Sequence, residues 1–395
     1  MNGMIVYLSQ KELDVFANGE AESLLGYAYE WEGEEVVHLH TQPLTYSFGL
    51  VSKCLFTKSA LTANSQDDIR WHVLIDEGCL KVLLRVEDNF QEIEYQMIPS
   101  KEDLYSRNKG ILEIGILESK HVVIIGLGSF GSQIAIELAK AGVGEFSLVD
   151  FDRVELHNLA RHICFVKDLG RLKTDAVAES ILGKNPYAKV HKYPLDVNKN
   201  RMELATIVRN ADLVVCATDN NPSRFILTQA LFDFQKVGVF GRAFTRAEGG
   251  DVFVYRPDQA CYSCMVGNIG VAQEEITSEA SARKNGVIPA YVSPQDADAM
   301  VQVGLSTDIE PICNMMVKLA LVELSKGEDS GISCLEDELV YNYYLWANRR
   351  ERKFANWHVL PGAGAMPTIM RWYGAHISRR EDCAVCSENE IILDI

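Results

Sequence analysis

Apolar residues gather in short runs at three places in the middle of the chain: Val122-Val123-Ile124-Ile125, Phe146-Ser147-Leu148-Val149 and Leu213-Val214-Val215-Cys216-Ala217. Between the first two lie a glycine turn, Gly126-Leu127-Gly128-Ser129-Phe130-Gly131, and a segment of helical character from Gln133 to Lys140. Strand, glycine turn, helix and strand in that order predict a βαβ unit of the Rossmann type. The chain is organised around this stretch, from His121 to the Thr218-Asp219-Asn220 corner.

The first hundred residues have a different pattern. Gln10 to Tyr29 has helical spacing around Leu13, Phe16 and Leu24, and strand-like pieces follow at Glu35–His40 and Arg70–Ile75. Leu80–Val86 and Ile93–Ile98 read as a hairpin, with Glu87-Asp88-Asn89 as its turn. This predicts a separate, smaller α+β domain. His38 and His40 alternate with apolar residues and face one side of a strand, as two neutral histidines or as two metal ligands. The polar, Pro-containing Pro99-Ser100-Lys101-Glu102-Asp103-Leu104 marks the boundary, and Arg107 follows it as a surface charge or a phosphate contact.

A length of 395 residues allows two or three domains, and 47% apolar with 24% charged residues is ordinary for a globular protein. The net charge of −17 argues against nucleic acid or an anionic membrane as a partner. The N-terminus lacks the pattern of a signal peptide, and no apolar run approaches the roughly 20 residues of a membrane helix. Ten cysteines, most of them in apolar runs, fit reduced thiols and a cytoplasmic setting.

Three glycines at this spacing let the chain turn tightly, a phosphate approach the backbone, and the helix pack on the strand. The helix N-terminus then presents free N–H groups to an anion. Asp150 lies 19 positions after Gly131, at the end of the next strand, where a carboxylate accepts from ribose hydroxyls. Asp152, Asn158, Arg161 and Lys173 follow as a polar and basic series, either exposed helix charges or contacts for a triphosphate. Asp219 follows the third run, aimed at the site to hold Mg²⁺ beside polyphosphate, with a helix N-cap by Asp219 or Asn221 as the alternative, and one residue could serve both purposes. Cys261-Tyr262-Ser263-Cys264 and Cys383-Ala384-Val385-Cys386 are two Cys-x-x-Cys pairs that suit a four-cysteine zinc site, with a redox pair as the rival.

Gly126–Gly131, Val149-Asp150-Phe151-Asp152, Asn158-Leu159-Ala160-Arg161, Gly170-Arg171-Leu172-Lys173 and Ala217-Thr218-Asp219-Asn220 stand in the order seen in E1-like activating enzymes. The chain resembles that family over about residues 104–345. The family includes ubiquitin-activating enzymes and the bacterial enzymes that adenylate thiamine and molybdopterin sulfur carriers. The resemblance implies a Rossmann-like adenylation domain with a mixed sheet, ATP and Mg²⁺ as ligands, and Zn²⁺ on Cys261, Cys264, Cys383 and Cys386. It assigns Gly126, Gly128, Gly131 and Asp150 to the nucleotide, and Asn158, Arg161 and Lys173 to its phosphates. Asp152 belongs to the same cofactor-binding set, Asp219 goes to the metal and α-phosphate, and Arg107 to the partner subunit's ATP in a homodimer.

The implied reaction is adenylation of the C-terminal glycine of a ubiquitin-like protein, with an E2-like protein as a further implied partner, in a bacterial ubiquitin-like conjugation pathway. Adenylation of another carboxylate or of a sulfur carrier is the alternative, and an NAD-dependent oxidoreductase is the reading from another class. The domains would be 1–100 (accessory), 101–350 (adenylation, with a crossover loop at about 266–305) and 351–395, a tail that completes the zinc site. That loop contains no cysteine where many relatives carry a nucleophile. Cys313 reads as core and Cys334 as loop, and Thr277, Ser278 or Ser281 would serve only for an oxyester. His38-Leu39-His40 also resembles the His-x-His of zinc-dependent deubiquitinase-like domains, but Val51 stands where those carry an aspartate, so no catalytic role is implied.

Overall fold

A computed structural model describes residues 4–31, 33–44, 50–58, 69–76, 79–87, 89–98, 104–269, 304–351, 354–359 and 366–387. The chain divides into two compact units, Met1–Arg107 and Asn108–Ile395.

The described residues of the first unit form an eight-stranded mixed sheet with the helix Gln10–Asn18. Its strands are β1 (Ile5–Ser9), β2 (Ser23–Glu30), β3 (Val36–His40), β4 (Leu50–Thr57), β5 (Trp71–Asp76), β6 (Cys79–Val86), β7 (Asn89–Ile93) and β8 (Tyr95–Ile98). They stand in the order β7-β6-β5-β4-β2-β3-β1-β8. The helical spacing expected from Gln10 to Tyr29 is split in two. The helix Gln10–Asn18 is capped by the Ser9 hydroxyl, and Leu13 and Phe16 bury its inner face. Leu24 belongs instead to β2, beyond the Gly19 that ends the helix.

The hairpin also differs from expectation. Val86 pairs with Asn89, and Glu87 sits at φ 55°, the left-handed backbone that a tight turn needs. β6 therefore pairs with Asn89–Ile93, while Tyr95–Ile98 leaves the hairpin and runs parallel to β1. His38 and His40 do share a strand. Burial lowers the His38 pKa, helped by neighbouring His40, so the ring is neutral at pH 7. His40 is fixed by Glu12, whose Oε1 lies 2.8 Å from its Nδ1.

The second unit carries the apolar runs. Its sheet has the order β11-β10-β9-β12-β13-β14-β15-β16. The ranges are β9 (His121–Ile125), β10 (Glu145–Val149), β11 (Lys189–Tyr193), β12 (Leu213–Cys216), β13 (Val237–Ala243), β14 (Gly249–Tyr255), β15 (Tyr343–Ala347) and β16 (Arg371–Ala375). The pairs from β11 to β13 are parallel and those from β13 to β16 antiparallel.

The runs are continuous because both faces are covered. Val122 and Ile124 join Ile134, Leu138, Ile312 and Met316 in one core. Val123 and Ile125 join Leu204, Leu227, Phe240 and Tyr262 in the other. Each such side chain contributes roughly 1.5–3 kcal/mol by leaving water. The strand expected at Glu338–Trp346 begins only at Tyr343, and it does add to the sheet in antiparallel pairing. Among the described residues no helix is long and apolar enough to cross a membrane.

Strand order positions the site. The chain leaves β9 to form β10 and β11 on one side, then returns as β12 on the other. Ligands in such sheets bind where the order reverses, beyond the carboxyl ends of the strands.

Candidate active site

The glycine turn leaves β9 at this crevice. Gly126 has φ +86°, and a Cβ there would lie 2.7 Å from the Ala217 carbonyl oxygen at the end of β12. Gly131 is already inside the helix Ser129–Ala141, where a Cβ would come within 1.8 Å of the Gly126 carbonyl oxygen. The helix thus starts earlier than Gln133, with Gly128 as its N-cap and its first N–H groups directed at the crevice.

Leu127 is held through both of its backbone groups. Its N–H donates to Asp150 Oδ2 at 2.6 Å. Its carbonyl accepts from His162 Nε2 at 2.6 Å, while His162 Nδ1 accepts from the Cys164 N–H at 3.1 Å. That second bond fixes the tautomer with the proton on Nε2. Burial lowers the His162 pKa, which keeps the ring neutral in this role.

Asp150 is itself buried, which raises its pKa, while Lys173 and the N–H groups of Asp152 and Leu127 oppose the rise. Its Oδ1 accepts from the Asp152 N–H at 2.8 Å. Both oxygens therefore brace the turn, and each keeps a second lone pair for a ribose hydroxyl.

Lys173 is the first residue of the helix Lys173–Lys184 and is only 8% exposed. A cation at a helix N-terminus opposes the dipole, so acids must offset it. Asp152 Oδ2 lies 2.9 Å from its Nζ. Burial works against the ammonium, but Asp150, Asp152 and Asp219 outweigh it and raise its pKa. Arg161 is half-buried, and burial lowers its pKa. The Asn158 side chain accepts from the Glu155 N–H at 3.0 Å and closes the short turn before Arg161.

At the end of β12 the capping residue is Asn220, neither Asp219 nor Asn221; its side chain accepts from the Ser223 N–H at 3.0 Å. Asp219 is left exposed on the crevice side.

Gly126, Gly128, Asp150, Asp152, Asn158, Arg161, Lys173 and Asp219 all line one cavity of about 570 Å³. That volume suits a nucleotide-sized ligand. Gly131 is packed beneath the turn, outside the lining. Arg107 belongs to the first unit and is exposed.

Sequence reasoning did not single out several residues of the lining, among them His162, Arg224, Arg242 and Arg246. Arg224 is 2% exposed, and its Nη2 donates to the Thr218 carbonyl at 2.7 Å, bracing the Asp219 corner. Arg246 and Ala247 have φ of 61° and 47°, left-handed backbone at two consecutive non-glycine residues. Asn348 holds them by donating to the Ala247 carbonyl at 2.9 Å. Backbone strain of this kind collects at ligand-binding walls.

Packed with Phe240, Phe253 and Tyr262, the Sγ atoms of Cys261, Cys264, Cys383 and Cys386 all lie within 4.8 Å of one another. Cys261–Cys383 are 3.5 Å apart and Cys264–Cys386 3.3 Å. Four thiolates around a tetrahedral Zn²⁺, at about 2.3 Å each, lie roughly 3.8 Å apart, so the donor set fits that ion.

Cys313 is 2% exposed in the helix Ser306–Leu324, within the core. Cys334 is exposed on a short turn. The expected crossover loop is shorter at its near end, because one helix runs to Ile269, and the next described helix begins at Ser306, where the loop was expected to end. Thr277, Ser278 and Ser281 lie outside the described residues.

The model of the ThiF family matches residues 111–337, more than half of the chain. The adenylyltransferase and sulfurtransferase MOCS3 of Caenorhabditis briggsae is 32% identical over 176 residues, which is 42% of this chain and 43% of that protein. A sulfur carrier protein adenylyltransferase of Thermus thermophilus is 31% identical over 207 residues, or 49% of this chain and 74% of the relative. Escherichia coli MccB shares the fold in its crystal structure, with a TM-score of 0.52 at 18% identity over 73% of this chain and 74% of that one. The match to MOCS3 spans less than half of that protein's length.

Proposed function

This chain belongs to the ThiF family, and from that premise we propose that it is an E1-like adenylyltransferase acting on the C-terminal carboxylate of a ubiquitin-fold protein of the sulfur-carrier class. The observation that carries the reading is one cavity combining a phosphate-facing helix N-terminus, the cations Arg161 and Lys173, and the exposed Asp219. An NAD enzyme needs only ribose recognition at that edge, and two further cations there suit a triphosphate. The names of the relatives support a sulfur carrier over a modifier destined for conjugation. A conjugated modifier stays as the second reading, and the additional unit Met1–Arg107 is the observation that favours it.

In the reaction a carboxylate oxygen bonds to the α-phosphorus of ATP, and the bond from that phosphorus to the β-phosphate oxygen breaks. Pyrophosphate leaves with the electron pair, and the product is an acyl adenylate. The turn holds the phosphates through its N–H groups, and Asp150 meets the ribose while bracing that turn. Arg161 and Lys173 offset charge as it develops on the α-phosphate and the leaving group. Asp219, with Asp152, would hold Mg²⁺, which would supply further charge neutralisation there. Arg107 completes the partner subunit's site in a homodimer, and the four cysteines hold a structural Zn²⁺.

ATP–pyrophosphate exchange tests the reading. Exchange should appear with a glycine-ended ubiquitin-fold sulfur carrier, and Asp219→Ala or Arg161→Ala should lower it by roughly 100-fold or more. Silence across a panel of such proteins, with ATP still bound, would overturn it.

A further inference from the structure

The corner that joins β13 to β14 walls the crevice on the far side of Asp219 from the glycine turn. Its backbone is strained, because Arg246 (φ 61°, ψ 18°) and Ala247 (φ 47°) are left-handed in succession. At non-glycine residues this costs about 1–3 kcal/mol each and persists only where neighbours impose it. The residues after β15 do so. Asn348 Nδ2 donates to the Ala247 carbonyl and to Asp308 Oδ1, both at 2.9 Å. The N–H groups of Asn348 and Arg349 donate to the Glu248 carbonyl at 3.1 and 3.0 Å. Arg349 donates through Nη2 to the Arg246 carbonyl and through Nη1 to Asp308.

This clamp fixes the backbone of Arg246 and leaves most of its guanidinium unused. Nε donates to Glu351 Oε1 at 2.6 Å, and among the described residues Nη1 and Nη2 have no partner. The side chain is half-exposed and lines the cavity. Arg242, on β13 itself, is by contrast buried and committed to Asp251, with Nε 2.8 Å from Oδ1.

Position then narrows the ligand. The strands run β10, β9, β12, β13, β14, so Asp150, the glycine turn, Asp219 and Arg246 follow one another across the crevice. Neighbouring strands lie about 4.8 Å apart, which sets Arg246 roughly 10 Å or more from the turn. A nucleotide on Asp150, the turn and Asp219 leaves the space beyond Asp219 to the second substrate. Charge narrows it further. Arg246 and Arg349 are balanced by Glu351 and Asp308, so the free N–H groups suit a neutral acceptor better than polyphosphate.

Resting on the adenylation reading, we propose that Arg246 binds a main-chain carbonyl oxygen just ahead of the substrate's terminal glycine, with Glu351 as its positioning residue. Glu351 holds Nε and thereby sets the plane of the fork. A C-terminal segment held at that depth presents its carboxylate to the α-phosphate beside Asp219, where attack requires an approach of about 3–3.5 Å.

The test uses the full chain with a glycine-ended ubiquitin-fold protein that supports wild-type exchange. Arg246→Asn removes the fork and keeps a residue type that tolerates left-handed backbone. It should raise the KM for that protein by roughly 10- to 100-fold, with a smaller effect on kcat and an unchanged Tm. Arg246→Gly, whose backbone is unstrained here, should raise the KM as much. Glu351→Ala should raise it less, by about 3- to 10-fold. The affinity for a fluorescent ATP analogue should stay within about twofold of wild type in all three.

A KM within about twofold of wild type in Arg246→Asn and Arg246→Gly would make the corner a structural clamp and overturn the assignment. A parallel loss of nucleotide affinity would move Arg246 to the ATP and overturn it equally. Wild-type protein that binds ATP but exchanges with no glycine-ended ubiquitin-fold protein would instead overturn the adenylation reading, and this assignment with it.

Discussion

Leu127 shows how single residues build the site, because an acid holds its N–H and a neutral histidine its carbonyl. The folded pKa of His162 lies below the ordinary value of about 6.5, so the unfolded chain takes up its proton first as pH falls. The stability this histidine preserves is complete above about pH 6.5 and declines as pH drops towards the folded pKa. Denaturant midpoints measured from pH 7.5 to 5.5 should fall, and fall less in His162→Gln, whose amide donates and accepts at the same two places. Gly131→Ala should lower stability by about 1–3 kcal/mol by chemical denaturation, since the new Cβ meets backbone rather than a yielding side chain. Asp150 and the glycines were legible because their spacing follows local geometry. His162 was not, because its partner lies 35 positions away. Capping by Asn220 rather than Asp219 turned on a single residue of phase that propensity does not resolve.

The central strands could be read directly, because burial on both faces leaves an uninterrupted apolar signature. The edge strand Lys189–Tyr193 could not: among the described residues it pairs only with β10, and it keeps Lys189, His191 and Lys192 exposed. Tyr95–Ile98 was read into a hairpin because no local signal announces a parallel partner about ninety residues away. β13 was passed over because two glycines and an arginine interrupt its apolar run. The four cysteines were legible as pairs, and the fold brings the distant pair to the near one. Purified protein should therefore contain about one zinc per chain by elemental analysis. Cys383→Ser should lose that metal and lower the Tm, and a metal-free chain with unchanged Tm would refute the assignment.

Each of the two units has its own sheet and its own apolar core, the first around Val6, Leu39, Phe56 and Trp71. Arg107 is the last residue of the first unit, and its proposed action across a homodimer can be measured by mixing inactive chains. Arg107→Ala and Lys173→Ala should each be nearly silent in exchange. Co-refolded together, they should recover roughly a quarter of wild-type activity, because half the dimers are mixed and half their sites intact. No recovery would put Arg107 in its own subunit's chemistry or outside it.

The cysteine pairs are 122 positions apart in sequence, with the helix Ser306–Leu324, β15 and β16 between them. A metal ion on all four thiols would tie that loop and remove roughly 4–5 kcal/mol of disorder from the open chain, by analogy with a covalent link of similar span. It also imposes an order in time. During synthesis the nucleotide turn and its acids emerge early, but the knot cannot draw shut until Cys386 has left the ribosome. A product cut short before that residue would carry the residues that line the crevice and still lack one of the four thiols, so the cavity is complete in sequence before the cluster is.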